Sequence, residues 1–522
     1  MLGKWSRRLF LGASGVAPLA AVAAPKAGTP AMPRLTGHEA DNLFTRIGVR
    51  PIINGRGTYT IISGSRSLPQ VKQAMFEASH YYVQMDEMMA GIGAELAKLT
   101  GAEWGVVTNG CEAAIVQATI ACIVGADVEK AQALPYIKAK DQVIVPKHSR
   151  NPYDIGIRMV GAEIVEVETP DQLRAAISPR TAMIYVMSSP QEAKSALPIA
   201  AICTAAKEKS VPVFVDAAAE EPLRPNIHLA AGATMVGYSG GKCLRGPQSS
   251  GMIIGDKSLC QAAYFNAAPH HCYGRALKCS KEEAMGLLAA VRQWYARDHD
   301  AEQRMWRGWL QHIEARLAKI PSIRFEYLEP EDLSNKAPRL SISWDGGTIG
   351  ISGTELAQRL DQGTPRILLQ GGSGTRLENR PSNIIAMPYM MDPGEEVIIA
   401  DALFAAMTGG SEFMVIPTES RMAPAAVAGD WVIAVQYQRG EGQQRFSITQ
   451  DDFTVSGRHK GEIYGGRLRG EVRGNKVEIR SNMVVPGNGI SWTFTGTVDG
   501  NRMAGTVDMG EYGPATFTAV RA

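Results

Sequence analysis

Lys242 stands in the stretch YSGGKCLRGPQSSG, Tyr238 to Gly251, between two glycines and a Gly-Pro turn, at the end of the apolar run TMVGY. An amine held there is shielded from bulk water and can attack a carbonyl as a nucleophile. A phosphate-binding P-loop is a poor alternative, because Cys243 follows the lysine, the required earlier glycine is missing and no helix follows. A carbonyl cofactor that serves as an electron sink, pyridoxal 5′-phosphate, fits the lysine as a Schiff-base partner. It needs in addition a carboxylate to keep its ring nitrogen protonated and a cradle for its phosphate. Asp216 closes the apolar run VPVFVDA upstream and supplies the carboxylate. The Asn109-Gly110 turn, between the strand-like WGVVTN and a helix starting near Cys111, supplies backbone N–H groups and a helix dipole for the phosphate. Ser239 adds a hydroxyl three residues before the lysine.

These residues need a sheet that brings strand ends together. From Gly48 to about Thr408, short β-rich runs (WGVVTN, DQVIVP, AEIVEVE, TAMIYVM, VPVFVDA, TMVGYSG, SGMIIG) alternate with helical ones. That alternation predicts an α/β fold with a mainly parallel sheet covered by helices, whose carboxyl strand ends bind the ligand. Residues 48–320 read as a large cofactor-binding domain that closes with one long helix over 281–320. Residues 321–416 read as a small α+β domain with strands SIRFEYLEP and RLSISWDG and an edge segment RILLQGG. A Pro/Ala/Gly-rich linker over 417–430 follows. Residues 431–522 then carry eight short strand-like runs with tight turns at Gly474-Asn475 and Gly500-Asn501, which predicts a small closed or nearly closed β-barrel. No catalytic cluster stands out in it, so it reads as a stabilising or binding accessory domain.

The chain has 522 residues, with 54 Lys plus Arg against 52 Asp plus Glu, so nothing in its charge points to nucleic acid. At the N-terminus, SRRLFLG with Arg7 and Arg8 precedes a short alanine-rich apolar stretch and an Ala21-Val22-Ala23 cleavage site. This predicts a twin-arginine signal peptide over 1–23, an N-terminal arm over 24–47, and a periplasmic mature protein without a permanent membrane span. Seven cysteines, an odd number without a C-x-x-C pair, give neither a disulfide framework nor a metal site.

The segments INGRGTYT, LTGAEWGVVTNGCEAAI, FVDAAAE, YSGGKCLRGPQSSGMIIG and GRALKCSKEEAMGLLAAVRQWY resemble fold-type I pyridoxal-phosphate enzymes. The resemblance is to the branch of selenocysteine synthase (L-seryl-tRNA selenium transferase) and D-glucosaminate-6-phosphate ammonia-lyase. It implies Lys242 as the Schiff-base lysine, Asp216 on the pyridinium nitrogen, and Asn109, Gly110 and Cys111 around the phosphate. It also implies His148 stacked on the ring, and a homodimer or larger even assembly. Three departures exclude selenium transfer. Gly241 stands where those enzymes carry aspartate, MDEMMAGIGAELAKLTGA lacks their arginine-bearing segment, and an exported protein has no use for a tRNA substrate.

The chemistry expected is therefore α-proton abstraction by Lys242 from a small amino acid or amino sugar acid, with α,β-elimination and loss of ammonia. Arg366 in GTPRILLQ and Arg56 in INGRGTYT are the candidates for binding the substrate carboxylate. A racemase or aminotransferase is the enzymatic alternative. A periplasmic binder of amino compounds without catalysis is the alternative of another class.

Overall fold

The computed structural model describes residues 41–137, 140–374, 381–409 and 422–522. The signal-peptide expectation, most of the N-terminal arm and part of the linker lie outside them. Residues up to Pro51 form a unit of their own, whose described part holds a single 3-10 turn, Thr45–Ile47.

In the remaining unit, a short strand β1 (Ile52–Gly55) comes first, and seven strands then build the large sheet. They are β2 (Trp104–Thr108), β3 (Gln142–Pro146), β4 (Glu163–Val167), β5 (Thr181–Met187), β6 (Val213–Asp216), β7 (Met235–Ser239) and β8 (Gly251–Gly255), in the order β2-β8-β7-β6-β5-β3-β4. Strands β7, β6, β5, β3 and β4 run parallel, and β8 is antiparallel to both its neighbours. Strand β2 therefore points the same way as β7, and the carboxyl ends of β2, β3, β5, β6 and β7 share one edge. Strands covered on both faces need apolar residues throughout, and TAMIYVM of β5 is buried from Thr181 to Val186. The helix Gly110–Val124 is buried along nearly its whole length, as an all-round apolar helix beneath a sheet should be.

The segment 281–320 is two helices. Lys281–Ala296 and His299–Leu317 are separated at Arg297-Asp298, where the Asp298 side chain accepts from the Ala301 N–H and starts the second helix. The small sheet comprises β9 (Arg324–Leu328), β10 (Arg339–Trp344), β11 (Arg366–Ser373) and β12 (Ser382–Ala386), in the order β1-β11-β12-β10-β9. Two features differ from the sequence expectation. RILLQGG, as β11, is an inner strand, because β1 from far upstream pairs with it in parallel and becomes the edge. Residues 52–55 thus belong to the sheet of the small lobe.

Eight strands, β13 (Gly429–Gln436), β14 (Glu441–Asp451), β15 (Thr454–Lys460), β16 (Gly465–Arg473), β17 (Lys476–Val485), β18 (Asn488–Asp499), β19 (Arg502–Asp508) and β20 (Pro514–Arg521), form a closed antiparallel meander in which β20 returns to β13. Alternate residues such as Trp431, Ile433, Phe446, Ile479, Phe494 and Phe517 fill it. Gly474 and Gly500 take the left-handed conformation in the two-residue turns that the sequence marked. Among the described residues no helix is long and apolar enough to cross a membrane.

Candidate active site

Strand register assembles the site. Thr108, Gly251 and Ser239 lie in one row across β2, β8 and β7, which sets the turn after β2 beside the start of the lysine loop. Met187, Asp216 and Gly237 form a parallel row across β5, β6 and β7. Asp216 and Ser239 end adjacent strands, and Lys242 follows in the turn that leaves β7.

Asp216 is buried, and both its oxygens accept hydrogen bonds. Oδ2 accepts from the Tyr185 hydroxyl at 2.8 Å, while Oδ1 accepts from the Ala218 N–H at 3.1 Å and the Cys111 thiol at 3.6 Å. Burial, reinforced by the charge of Asp216, pushes the Tyr185 phenol and the Cys111 thiol well above their ordinary pKa values, so both stay protonated as donors. Cys111 therefore has two faces. Its backbone opens the helix Gly110–Val124, and its side chain supports the carboxylate.

Asn109 precedes that helix, and its amide donates to the Lys278 carbonyl at 3.2 Å, which leaves the first-turn N–H groups without a side-chain cap. Gly110 is left-handed at φ +85°, and a Cβ built there meets nothing within 4 Å, so the turn is open above it. Behind it the packing is tight: a Cβ on Gly251 would lie 2.5 Å from the Gly110 carbonyl carbon.

His148 sits in a 3-10 turn, Lys147–Ser149, just past β3. Its Nδ1 contacts Ser149 Oγ at 3.1 Å and its Nε2 is buried without a partner. Burial lowers its pKa, which keeps a flat, neutral imidazole at the edge of the site.

The two glycines before Lys242 make room for the loop itself. A Cβ on Gly240 would collide with Ser250 Oγ at 2.1 Å, and one on Gly241 with Gln248 Cα at 2.7 Å. They let the loop fold back on its own returning arm. Gly241 is the position where the selenium transferases carry aspartate, and here there is no room for any side chain.

The two arginines separate. Arg366 opens β11 opposite Ile52, and its Nε donates to Asp361 at 2.7 Å. Arg56 follows the other end of β1, roughly 13 Å further along the chain at strand rise. Its guanidinium lies 4.7 Å over the Tyr59 ring and its carbonyl accepts from Gln370. No ion pair of Arg56 occurs among the described residues. The structure gives Arg366 to an ion pair and leaves Arg56 on the segment leading to the lysine loop, where Ser65 N–H donates to the Gly241 carbonyl at 2.9 Å.

The arrangement is a lysine, a donor-braced carboxylate, an uncapped helix start and an orphaned ring nitrogen on one sheet edge. The family model for Cys/Met metabolism PLP-dependent enzymes matches residues 49–282. The chain is 30% identical over 343 residues to the 5′-C-glycyluridine monooxygenase-decarboxylase of a Streptomyces species, covering 63% of this chain and 84% of the relative. The chain belongs to the pyridoxal-phosphate-dependent enzymes of fold type I. It is also 29% identical over 333 residues to D-glucosaminate-6-phosphate ammonia lyase of Salmonella typhimurium, over 62% of this chain and 87% of the relative. A solved structure of a D-glucosaminate-6-phosphate ammonia-lyase superposes with a TM-score of 0.62 at 25% identity, covering 71% of this chain and all of that one. As in other members of this fold type, the cofactor is pyridoxal 5′-phosphate. The residues present fit it: the uncapped helix start and open Gly110 suit a phosphate, and Asp216 suits a ring N–H.

Sequence reasoning missed Tyr185 and Asn151. Asn151 is buried and donates to the Tyr185 hydroxyl at 3.0 Å and to the Ser149 carbonyl at 2.7 Å, behind the bond from Tyr185 to Asp216. The available signal was a tyrosine in the middle of a fully buried strand, whose hydroxyl must find a partner. A second buried group, His228 Nε2 to Glu220 at 2.6 Å with Ser188 on the other Glu220 oxygen, also stands behind the sheet edge. The seven cysteines are all free thiols.

Proposed function

We propose that this enzyme removes the α-proton of a small amino acid or amino sugar acid and eliminates a β-substituent, releasing a keto product and ammonia. When bound, pyridoxal phosphate supplies an electron sink that makes an α-proton removable. Lys242 Nζ takes that proton as general base and can return one to the product. Asp216 holds the proton on the ring nitrogen, and Tyr185, Ala218 and Cys111 hold Asp216 in place with donated hydrogen bonds. The N–H groups that open the helix Gly110–Val124, with Ser239 beside them, bind the phosphate, and His148 packs its neutral ring against the site. Arg56 binds the substrate carboxylate.

The observation that carries the reading is the carboxylate braced by three protonated donors at the strand end next to the lysine. The lyase outcome is supported by one relative, a D-glucosaminate-6-phosphate ammonia lyase. An amino sugar acid bears a hydroxyl on the carbon next to its amino-bearing carbon. Proton loss then expels water, and hydrolysis returns water and frees ammonia.

The test is a panel of L- and D-amino acids and amino sugar acids scored for keto acid, ammonia and optical rotation. Keto acid with equimolar ammonia supports elimination. Keto acid formed only with an amino acceptor assigns an aminotransferase, and loss of rotation alone assigns a racemase. The motif SRRLFLG supports export to the periplasm by the twin-arginine route, checked by fractionation with and without Arg7 and Arg8. Fold-type I kinship supports a homodimer, checked by light scattering.

A further inference from the structure

The β-barrel meets the catalytic lobe at the segment that carries the site's supports. The two-residue turn Pro486-Gly487 joins β17 to β18, with Val485 paired to Asn488 and Gly487 left-handed at φ +74°, as a Pro-Gly turn of type II requires. A Cβ on Gly487 would lie 2.5 Å from the Asn151 carbonyl oxygen and 2.7 Å from Asp154 Oδ2. The turn is therefore in close contact with 151–154 and tolerates no side chain.

That segment is tightly determined from the other side. Asp154 has no exposed side-chain surface, and its Oδ2 accepts from Arg150 Nε at 2.6 Å. Asn151 Oδ1 accepts from the Tyr153 N–H at 2.8 Å, and its amide reaches Tyr185, which holds Asp216. Ser149 receives the Asn151 amide on its carbonyl, bonds the Met187 N–H through its hydroxyl at 3.0 Å, and touches His148. A second barrel feature, the 3-10 turn Gly510–Tyr512, comes near as well. The charge of Glu511 adds to burial, Asp216 and Glu112 in raising the Tyr153 pKa.

We propose that the barrel is a structural wall of the cofactor site, its Pro486-Gly487 turn bearing on Asn151–Asp154 and so fixing the positions of His148 and of the Asn151–Tyr185–Asp216 chain. The barrel is then part of the catalytic apparatus and not an appended binding module.

The test compares Gly487→Ala with Gly500→Ala. Both put alanine at a positive-φ position of a two-residue barrel turn, at φ +74° and +55°. At Gly500 the added Cβ meets nothing within 4 Å, whereas at Gly487 it meets Asn151 and Asp154. In full-length apo protein, G487A is expected to raise amide hydrogen exchange across His148–Asp154 and to weaken pyridoxal phosphate binding by about tenfold relative to G500A. Barrel integrity is read from tryptophan fluorescence and near-ultraviolet circular dichroism. Gly487→Asn, which favours the left-handed conformation while still carrying a Cβ, gives a second reading.

Cofactor affinity in both Gly487 variants within about twofold of G500A overturns the proposal. So does weaker binding without raised exchange in His148–Asp154, because the effect would not then pass through that segment. A barrel that unfolds in both variants overturns it too, since the turn would serve only the barrel's own fold.

Discussion

Tyr185→Phe removes one hydroxyl and little else, because the ring lies stacked on Phe214 at 6.3 Å and 11° and phenylalanine keeps that contact. The lost hydroxyl donates to Asp216 Oδ2 at 2.8 Å and accepts from Asn151 at 3.0 Å, with all three side chains buried. A hydrogen bond to a charged group is worth about 1.5–3 kcal/mol. The donors that remain, Ala218 and Cys111, both bind Oδ1, so the carboxylate loses the bond that fixes its rotation. If that energy orients Asp216 toward the ring nitrogen, cofactor affinity falls by about ten- to a hundredfold, at ~1.4 kcal/mol per factor of ten. Asn151 keeps its donation to Ser149, so the segment stays anchored and the fold is retained. The assay is titration of apo-Y185F with pyridoxal phosphate, followed by visible absorbance and tryptophan quenching, with turnover measured at saturating cofactor. Affinity and turnover both within about twofold of the wild type would refute the coupling of Tyr185 to the site.

Lys242→Ala is expected to bind the cofactor without a covalent link, so that dialysis removes it, and to lose about 10²- to 10⁴-fold in turnover from proton transfer alone; absorbance before and after dialysis, with initial rates, checks this. Gly241→Asp brings a side chain against Gln248 Cα at 2.7 Å and is expected to cost about 1–3 kcal/mol in the lysine loop, read by denaturant unfolding and cofactor retention. Arg56→Ala is expected to raise KM by about ten- to a hundredfold with kcat nearly kept, while Arg366→Ala leaves KM alone, as steady-state kinetics on the substrate from the panel would show. In the barrel, His459 bonds Ser481 Oγ and Gln444 Oε1, both at 2.7 Å, and burial lowers its pKa from 6.5 to about 4. The unfolded histidine binds a proton first, so barrel stability is full above about pH 6.5, falls by about 3 kcal/mol on acidification, and levels off below about pH 4. Acid unfolding followed by tryptophan fluorescence should show that slope, and His459→Gln should flatten it.

The parts of the site that are local in sequence were legible. A strand ending in Asp216, a strand running into Ser239 and Lys242, and a strand-turn-helix at Asn109-Gly110 each announce themselves within a dozen residues, and the register brings them to one edge. The barrel was legible for the same reason, since Gly474-Asn475 and Gly500-Asn501 specify hairpins directly. What escaped was non-local. Tyr185 looks like core until Asp216 and Asn151 are placed around it. The pairing of β1 with β11 joins segments more than three hundred residues apart and turns an expected edge strand into an inner one. That the glycines before Lys242 make room for the loop's own return arm at Gln248 and Ser250 also needs the fold. The break in the helical run after Ala296 rests on one aspartate cap that amphipathic periodicity does not register.

The pairing of β1 bears on how substrate and base are coordinated. Strand β1 belongs to the small sheet, yet soon after it the Ser65 N–H donates to Gly241 at 2.9 Å, Ser67 Oγ to Gly246 at 3.1 Å and the Leu68 N–H to Arg245 at 3.1 Å. The lysine loop is thus laced to the chain that has just left the small lobe. Arg56 lies on the connecting stretch, its carbonyl held by Gln370 of β11 and its backbone N–H by Asn54. On the roles proposed above, a carboxylate gripped by Arg56 and a proton taken by Lys242 would be referred to one continuous support spanning both lobes. Arg366, four strand residues back and tied to Asp361, has no such connection. On the proposed roles, an arginine on the bridge would transmit the grip on the substrate to the loop that carries the base.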